Sequence, residues 1–318
     1  MEKDALLLGV PADRMVSLYG TTPPRADAGL EDVARAAERL ADRVRALPID
    51  GLVVYDVQDE ATRTSIRRPF LPTIDPRHYS RQLHQLTGKP TVTYKCVADM
   101  TRADWSPWLA ETHRDYGIDH LSLVGLPSSR GATSVLPLSE ATRLAATHLA
   151  GFTLGGVAIA ERHGHGRNES ERMLRKAADG CRFFISQAVY DAETTIRLLT
   201  DYARDCAREG VTPRRVILTF IPCGRARTLA FIRWLGIAIT DATAASIFAD
   251  AAPLSRSIAI CRDHLQAILS QDYVRTIPLG LNVESVSIYK DEIDASIDLH
   301  HALHDVAREF LNTPAAGL

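Results

Sequence analysis

Eight short apolar runs, each followed by a segment whose apolar residues recur at helical spacing, succeed one another between residues 15 and 311. Few folds accommodate that pattern. Strands that alternate with helices run parallel through right-handed crossovers, which leaves an open doubly wound sheet or a closed (βα)8 barrel. Eight units in about 300 residues suit the barrel. No Gly-x-Gly-x-x-Gly follows the first strand, as a Rossmann dinucleotide domain would require. The expected fold is therefore α/β, a (βα)8 TIM barrel forming a single domain over residues 1–318, with its core from about 15 to 311.

The strands are predicted at residues 15–20, 51–56, 91–96, 118–125, 216–222 and 277–286, and the stretch from 155 to 191 supplies the fifth and sixth units. Asp191 is expected to cap a helix reaching about residue 208. Two additional helices, near 242–251 and 254–271, are predicted between the seventh and eighth strands.

Composition narrows the class. Lys plus Arg number 37 and Asp plus Glu 39, a formal charge of −2, so no basic surface points to nucleic acid. No apolar run is long enough to span a membrane, and the apolar segment near the N-terminus is too short for a signal peptide. The expected location is the cytoplasm. Cysteines 96, 181, 206, 223 and 261 are odd in number and widely spaced, with no Cys-x-x-Cys pair, so they are expected to be buried free thiols.

In such a barrel the carboxyl ends of the strands build the site. Tyr19 and Gly20 end the first strand, Asp56, Gln58 and Glu60 follow the second, Tyr94 lies on the third, and Asn282 and Glu284 close the eighth. Asp56 or Glu60 could serve as a general acid if burial raised its pKa, or form a solvated acidic turn with nearby arginines. Glu284, surrounded by apolar residues, is expected to titrate high and deliver a proton, with an ion pair as the alternative. Gln187 ends an otherwise apolar strand, and its amide offers donor and acceptor together to the edge of a pterin, flavin or nicotinamide ring; a satisfied core amide is the plainer reading. His163 and His165 alternate with glycines, with no carboxylate or cysteine at ligand spacing, so no metal is expected. That loop can instead meet a phosphate through Gly164, Gly166, Arg167 and Asn168, or be ordinary surface.

At these residues the chain resembles the methylenetetrahydrofolate reductase family. GCRFFISQAVYD (180–191) is similar to the family's Gly-Ala-Asp-Phe-Ile-Ile-Thr-Gln followed by apolar residues and Asp. GVAIAERHGHGRNESE (156–171), VILTFIP (216–222), YGIDHLSLVGLP (116–127) and SLYGTTPPR (17–25) resemble other family strands, so the likeness spans nearly the whole barrel. The resemblance implies reduction of 5,10-methylenetetrahydrofolate to 5-methyltetrahydrofolate with NAD(P)H, usually through FAD, by a small-molecule enzyme without nucleic-acid or membrane partners. Gln187 would contact folate, together with Tyr19, Tyr94 and Asn282. His163, His165, Arg167, Asn168 and Gln58 would hold the cofactor, and Glu284, Asp56 or Glu60 would donate the proton. The chain departs from the family at four positions: Gly20 stands where the proton-donating glutamate is expected, Leu126 where an aspartate is, Val124 where an arginine is, and Tyr94 where a histidine is. Flavin-independent members of the family have a glutamate at the position of Glu284. Another folate-dependent one-carbon transfer, or a folate- or flavin-binding barrel without redox activity, are the alternatives.

Overall fold

The computed structural model describes residues 7–58, 71–125, 135–164 and 168–312. Eight parallel strands close into a barrel in strict chain order. They are β1 (Val16–Thr21), β2 (Gly51–Val54), β3 (Thr91–Cys96), β4 (His120–Val124), β5 (Thr153–Ala158), β6 (Cys181–Ala188), β7 (Arg215–Phe220) and β8 (Leu279–Glu284). The helices between them are α1 (Leu30–Val44), α2 (Pro76–Thr87), α3 (Arg102–Tyr116), α4 (Leu138–Ala146), α5 (Glu169–Asp179), α6 (Ala192–Glu209) and α7 (Ala226–Trp234). Both additional helices are present, α8 (Asp241–Phe248) and α9 (Pro253–Leu269), ahead of β8, and α10 (Lys290–Asn312) follows it.

Strand alternation divides the core in two. Val16 and Leu18 of β1, Val53, Val92, Tyr94, Phe183, Ile185 and Ile217 pack together in the lumen. The intervening residues, such as Leu52 and Val54 of β2, face the helices. Gly155 lets this lumen fill: a Cβ there would lie 2.2 Å from the ring of Phe183. The close approach lets one large side chain occupy space that eight full-sized residues would contest.

The N-terminal end of the barrel is closed by residues 7–14, the segment ahead of β1. Leu7 and Val10 join the lumen cluster from below. Arg215, 4% exposed at the foot of β7, donates to the carbonyls of Pro11 (2.6 Å), Arg14 (2.7 Å), Leu279 (2.9 Å) and Val10 (3.4 Å). Its fork-shaped set of donors suits several acceptors at once, and burial pulls its pKa down to about 10.

Helix boundaries follow local chemistry. Thr101, Asn168, Asp191 and Thr240 each accept a backbone N–H in the first turn of α3, α5, α6 and α8, and Gly88, Gly117 and Gly210 end α2, α3 and α6 in the left-handed conformation. All five cysteines are free and buried. Among the described residues no helix is long and apolar enough to cross a membrane.

Candidate functional site

The C-terminal mouth of the lumen is built by β1, β2, β3, β7 and β8. On β8, Asn282 is fully buried and donates through Nδ2 to the hydroxyl of Tyr55 (2.9 Å), just beyond β2, and to Thr219 Oγ1 of β7 (3.3 Å). Tyr55 lies against Tyr94 of β3, with ring centroids 4.8 Å apart. Two residues beyond Asn282, the half-buried carboxyl group of Glu284 lies beside Tyr55: its Oε2 and the Tyr55 ring close on the same point, 2.7 and 3.1 Å from where a Cβ on Gly20 would stand. Burial drives the Glu284 pKa up to about 7, and the neighbouring Tyr55 hydroxyl opposes the rise. Tyr55 is itself pushed well above its ordinary value, first by burial and then by the charge of Glu284.

The space for this carboxyl group comes from β1. Gly20 is the register partner of Glu284. A Cβ on Gly20 would lie 2.7 Å from Glu284 Oε2, 3.0 Å from its Cβ and 3.1 Å from the ring of Tyr55. Any side chain at position 20 would therefore have to displace Glu284. A carboxyl group that exchanges its proton near neutrality in a partly dehydrated pocket can act as a general acid or base.

Above the mouth, Gln187 at the end of β6 donates through Nε2 to the carbonyl of Leu235, just past α7 (3.4 Å). Its Oε1 and the Oδ1 of Asn282 are buried acceptors without a hydrogen-bond partner among the described residues. Such acceptors are costly unless something supplies an N–H or O–H. The rim beside β7 and β8 is held by Glu292 on α10. This fully buried carboxylate accepts from the backbone N–H of Gly224 (2.8 Å), from Thr228 Oγ1 (2.6 Å) and from Ser287 Oγ.

Not every residue expected at the mouth is there. Tyr19 has the outward parity of its strand: it packs in the layer between β1, α1 and α2, and its hydroxyl pairs with Ser296 of α10 at 2.7 Å. Asp56 braces two strands, accepting from the backbone N–H of Cys96 (2.7 Å) and from Gln58 Nε2 (2.9 Å), and burial raises its pKa. Gln58 is thereby turned to Asp56. His163 pairs through Nε2 with Asp201 of α6 at 2.9 Å, and Asn168 accepts the N–H of Glu171 (3.1 Å) as the cap of α5. Glu60, His165 and Arg167 lie outside the described residues, as does Leu126. The described members of the expected cofactor set are each engaged within the protein. Among the described residues no group of His, Cys, Asp or Glu has the arrangement of a metal site. Sequence reasoning passed over Tyr55 and Thr219, whose only sequence signal is a hydroxyl-bearing residue near the end of an apolar strand.

No protein-family model matches the chain, and no curated protein does. Among solved structures it is similar to an uncharacterized protein from Clostridium thermocellum that binds two copies of 5-methyl-5,6,7,8-tetrahydrofolic acid. The two share 31% identity over 93% of this chain and 96% of that one, with a TM-score of 0.79. The chain belongs to the same family as that protein.

Proposed function

We propose that the mouth binds a reduced folate and that the chain is a methylenetetrahydrofolate reductase-like oxidoreductase, converting 5,10-methylenetetrahydrofolate to 5-methyltetrahydrofolate with NAD(P)H. The observation that carries the reading is the pairing of Gly20 with Glu284: the strand position where the resembled family keeps its acid is empty, and the carboxyl group of the neighbouring strand fills the space. The bound 5-methyltetrahydrofolic acid of the Clostridium thermocellum relative supports the ligand class. The unpartnered acceptors of Gln187 and Asn282 suit the N–H groups of a pterin edge.

The chemistry needs one proton and one hydride. Protonated Glu284 gives its proton to N10 as the bond between N10 and the methylene carbon breaks, its electron pair passing to nitrogen. The resulting N5 iminium accepts hydride from the nicotinamide, giving the 5-methyl group and NAD(P)+, and Glu284 regains a proton from solvent. Because its pKa lies near 7, Glu284 holds the proton in a large fraction of molecules at neutral pH and still releases it readily. The residues around it are uncharged, so the developing cation is met by a carboxylate once the proton has left. No step here draws on a flavin.

The test is to mix purified protein with NADH or NADPH and 5,10-methylenetetrahydrofolate and follow nicotinamide oxidation together with formation of 5-methyltetrahydrofolate. Stoichiometric formation of both products supports the reading. Tight folate binding without nicotinamide oxidation would replace it with a different one-carbon transfer or a non-redox folate-binding barrel.

A further inference from the structure

We propose that Tyr55 is a positioning residue that, held by Asn282, keeps the Glu284 carboxyl group aimed into the mouth and sets the pH at which it gives up its proton. The inference deepens the reading of the same site and rests on Glu284 being the group that matters there.

The geometry gives the chain of hydrogen bonds a direction. Asn282 Nδ2 donates to both Thr219 Oγ1 and the Tyr55 hydroxyl. A phenol that accepts from an amide has its own proton left to donate, and the carboxyl group beside it is that of Glu284, whose Oε2 meets the edge of the Tyr55 ring at Gly20. The ring cannot easily swing away, because Tyr94 lies against one side of it and the space at Gly20 is too narrow on the other. The amide of Asn282 on β8, steadied by Thr219 of β7, thus orients the Tyr55 hydroxyl beyond β2 toward the carboxyl group.

Without that donor the carboxylate would face only burial. The titratable side chains around Glu284 are Tyr55, Tyr94 just beyond it on β3 and Tyr19 on β1, with Arg43 of α1 and Asp294 of α10 next to Tyr19. No lysine or arginine among the described residues contributes to its shift. The Tyr55 hydroxyl is therefore the principal group that favours the ionised form, and it holds the pKa near neutrality instead of higher. Hydrogen bonds to the charged form of an acid act in this sense.

The experiment is a carboxyl-carbon NMR titration of the full chain carrying labelled glutamate, with Glu284→Gln used to assign the signal and no folate present. Tyr55→Phe is expected to move the Glu284 midpoint to higher pH by about one unit, a tenfold weaker acid. Asn282→Ala, which frees the hydroxyl to turn, should move it in the same direction by less. An unmoved midpoint in a folded Tyr55→Phe protein overturns the proposal. If Tyr55→Phe fails to fold, an unmoved midpoint in Asn282→Ala does the same. The result does not depend on turnover: a shifted midpoint in a protein that proves inactive on methylenetetrahydrofolate would retain the positioning role and discard the reductase reading. In an active protein, the alkaline limb of kcat should move up by the same amount while KM for folate stays within about twofold.

Discussion

Gly20 and Glu284 face each other across the β1–β8 pairing, and the absent side chain of one is the space occupied by the carboxylate of the other. Gly20→Ala places a Cβ 2.7 Å from Glu284 Oε2 and must push the carboxylate aside. In the activity assay this variant should lose about a hundredfold in kcat with folate affinity little changed, as expected when a proton donor moves off its acceptor. The paired exchange Gly20→Glu with Glu284→Gly should recover more activity than either single change; a double variant no better than Gly20→Glu would show that the two positions are not interchangeable.

Glu284 also costs stability, with a defined pH dependence. Its folded pKa of about 7 stands above the ordinary value of 4.5. Below about pH 4.5 the carboxyl group is neutral in both folded and unfolded chains, and no penalty exists. As pH rises toward 7 the unfolded chain releases the proton while the folded one keeps it, so stability falls, and the loss is complete above the folded pKa. Glu284→Gln should abolish this component. Urea unfolding at pH 8 should find the variant more stable than wild type by about 3 kcal/mol at most, with the difference vanishing near pH 4.

Glu292 is expected to behave in the opposite way. It satisfies three donors, one in the loop after β7, one on α7 and one in the loop after β8, so Glu292→Leu leaves a part-buried N–H and two hydroxyl groups without an acceptor. The cost should be about 2–4 kcal/mol, and amide exchange at Gly224 should accelerate. Retention of wild-type protection at Gly224 would contradict the assignment of this carboxylate as the pin of that rim.

The barrel was legible because its periodicities are long and unambiguous: each strand and helix has enough residues to reveal its face, and both additional helices before β8 could be counted. Glu284 and Asn282 stood out as polar residues ending an apolar strand. Direction was harder to read. Tyr19 and Tyr55 are both tyrosines near strand ends, yet the pleat turns Tyr19 toward Ser296 and leaves Tyr55 in the mouth, and only the closed register fixes which is which. Asp56, Gln58, His163 and Asn168 looked equally available as loop residues. The structure engages each of them, as a strand brace, its partner, a tie to α6 and a helix cap. Polar side chains near strand ends often satisfy backbone groups first, and sequence alone does not reveal which ones remain free.

Arg215→Met tests the closed end of the barrel. It removes the donor shared by four carbonyl oxygens, and thermal unfolding should reveal a loss of about 3 kcal/mol. Because the mouth lies at the opposite end, folate affinity of the folded protein should be unaffected.

That same arginine orders events in time. The carbonyls of Pro11 and Arg14 lie 204 and 201 residues before the guanidinium that receives them. During synthesis residues 11–14 have no dock until β7 has been made, and contacts so distant in sequence form late in folding. The segment ahead of β1 is then among the last to lock, and its docking reports that the ring of strands has closed.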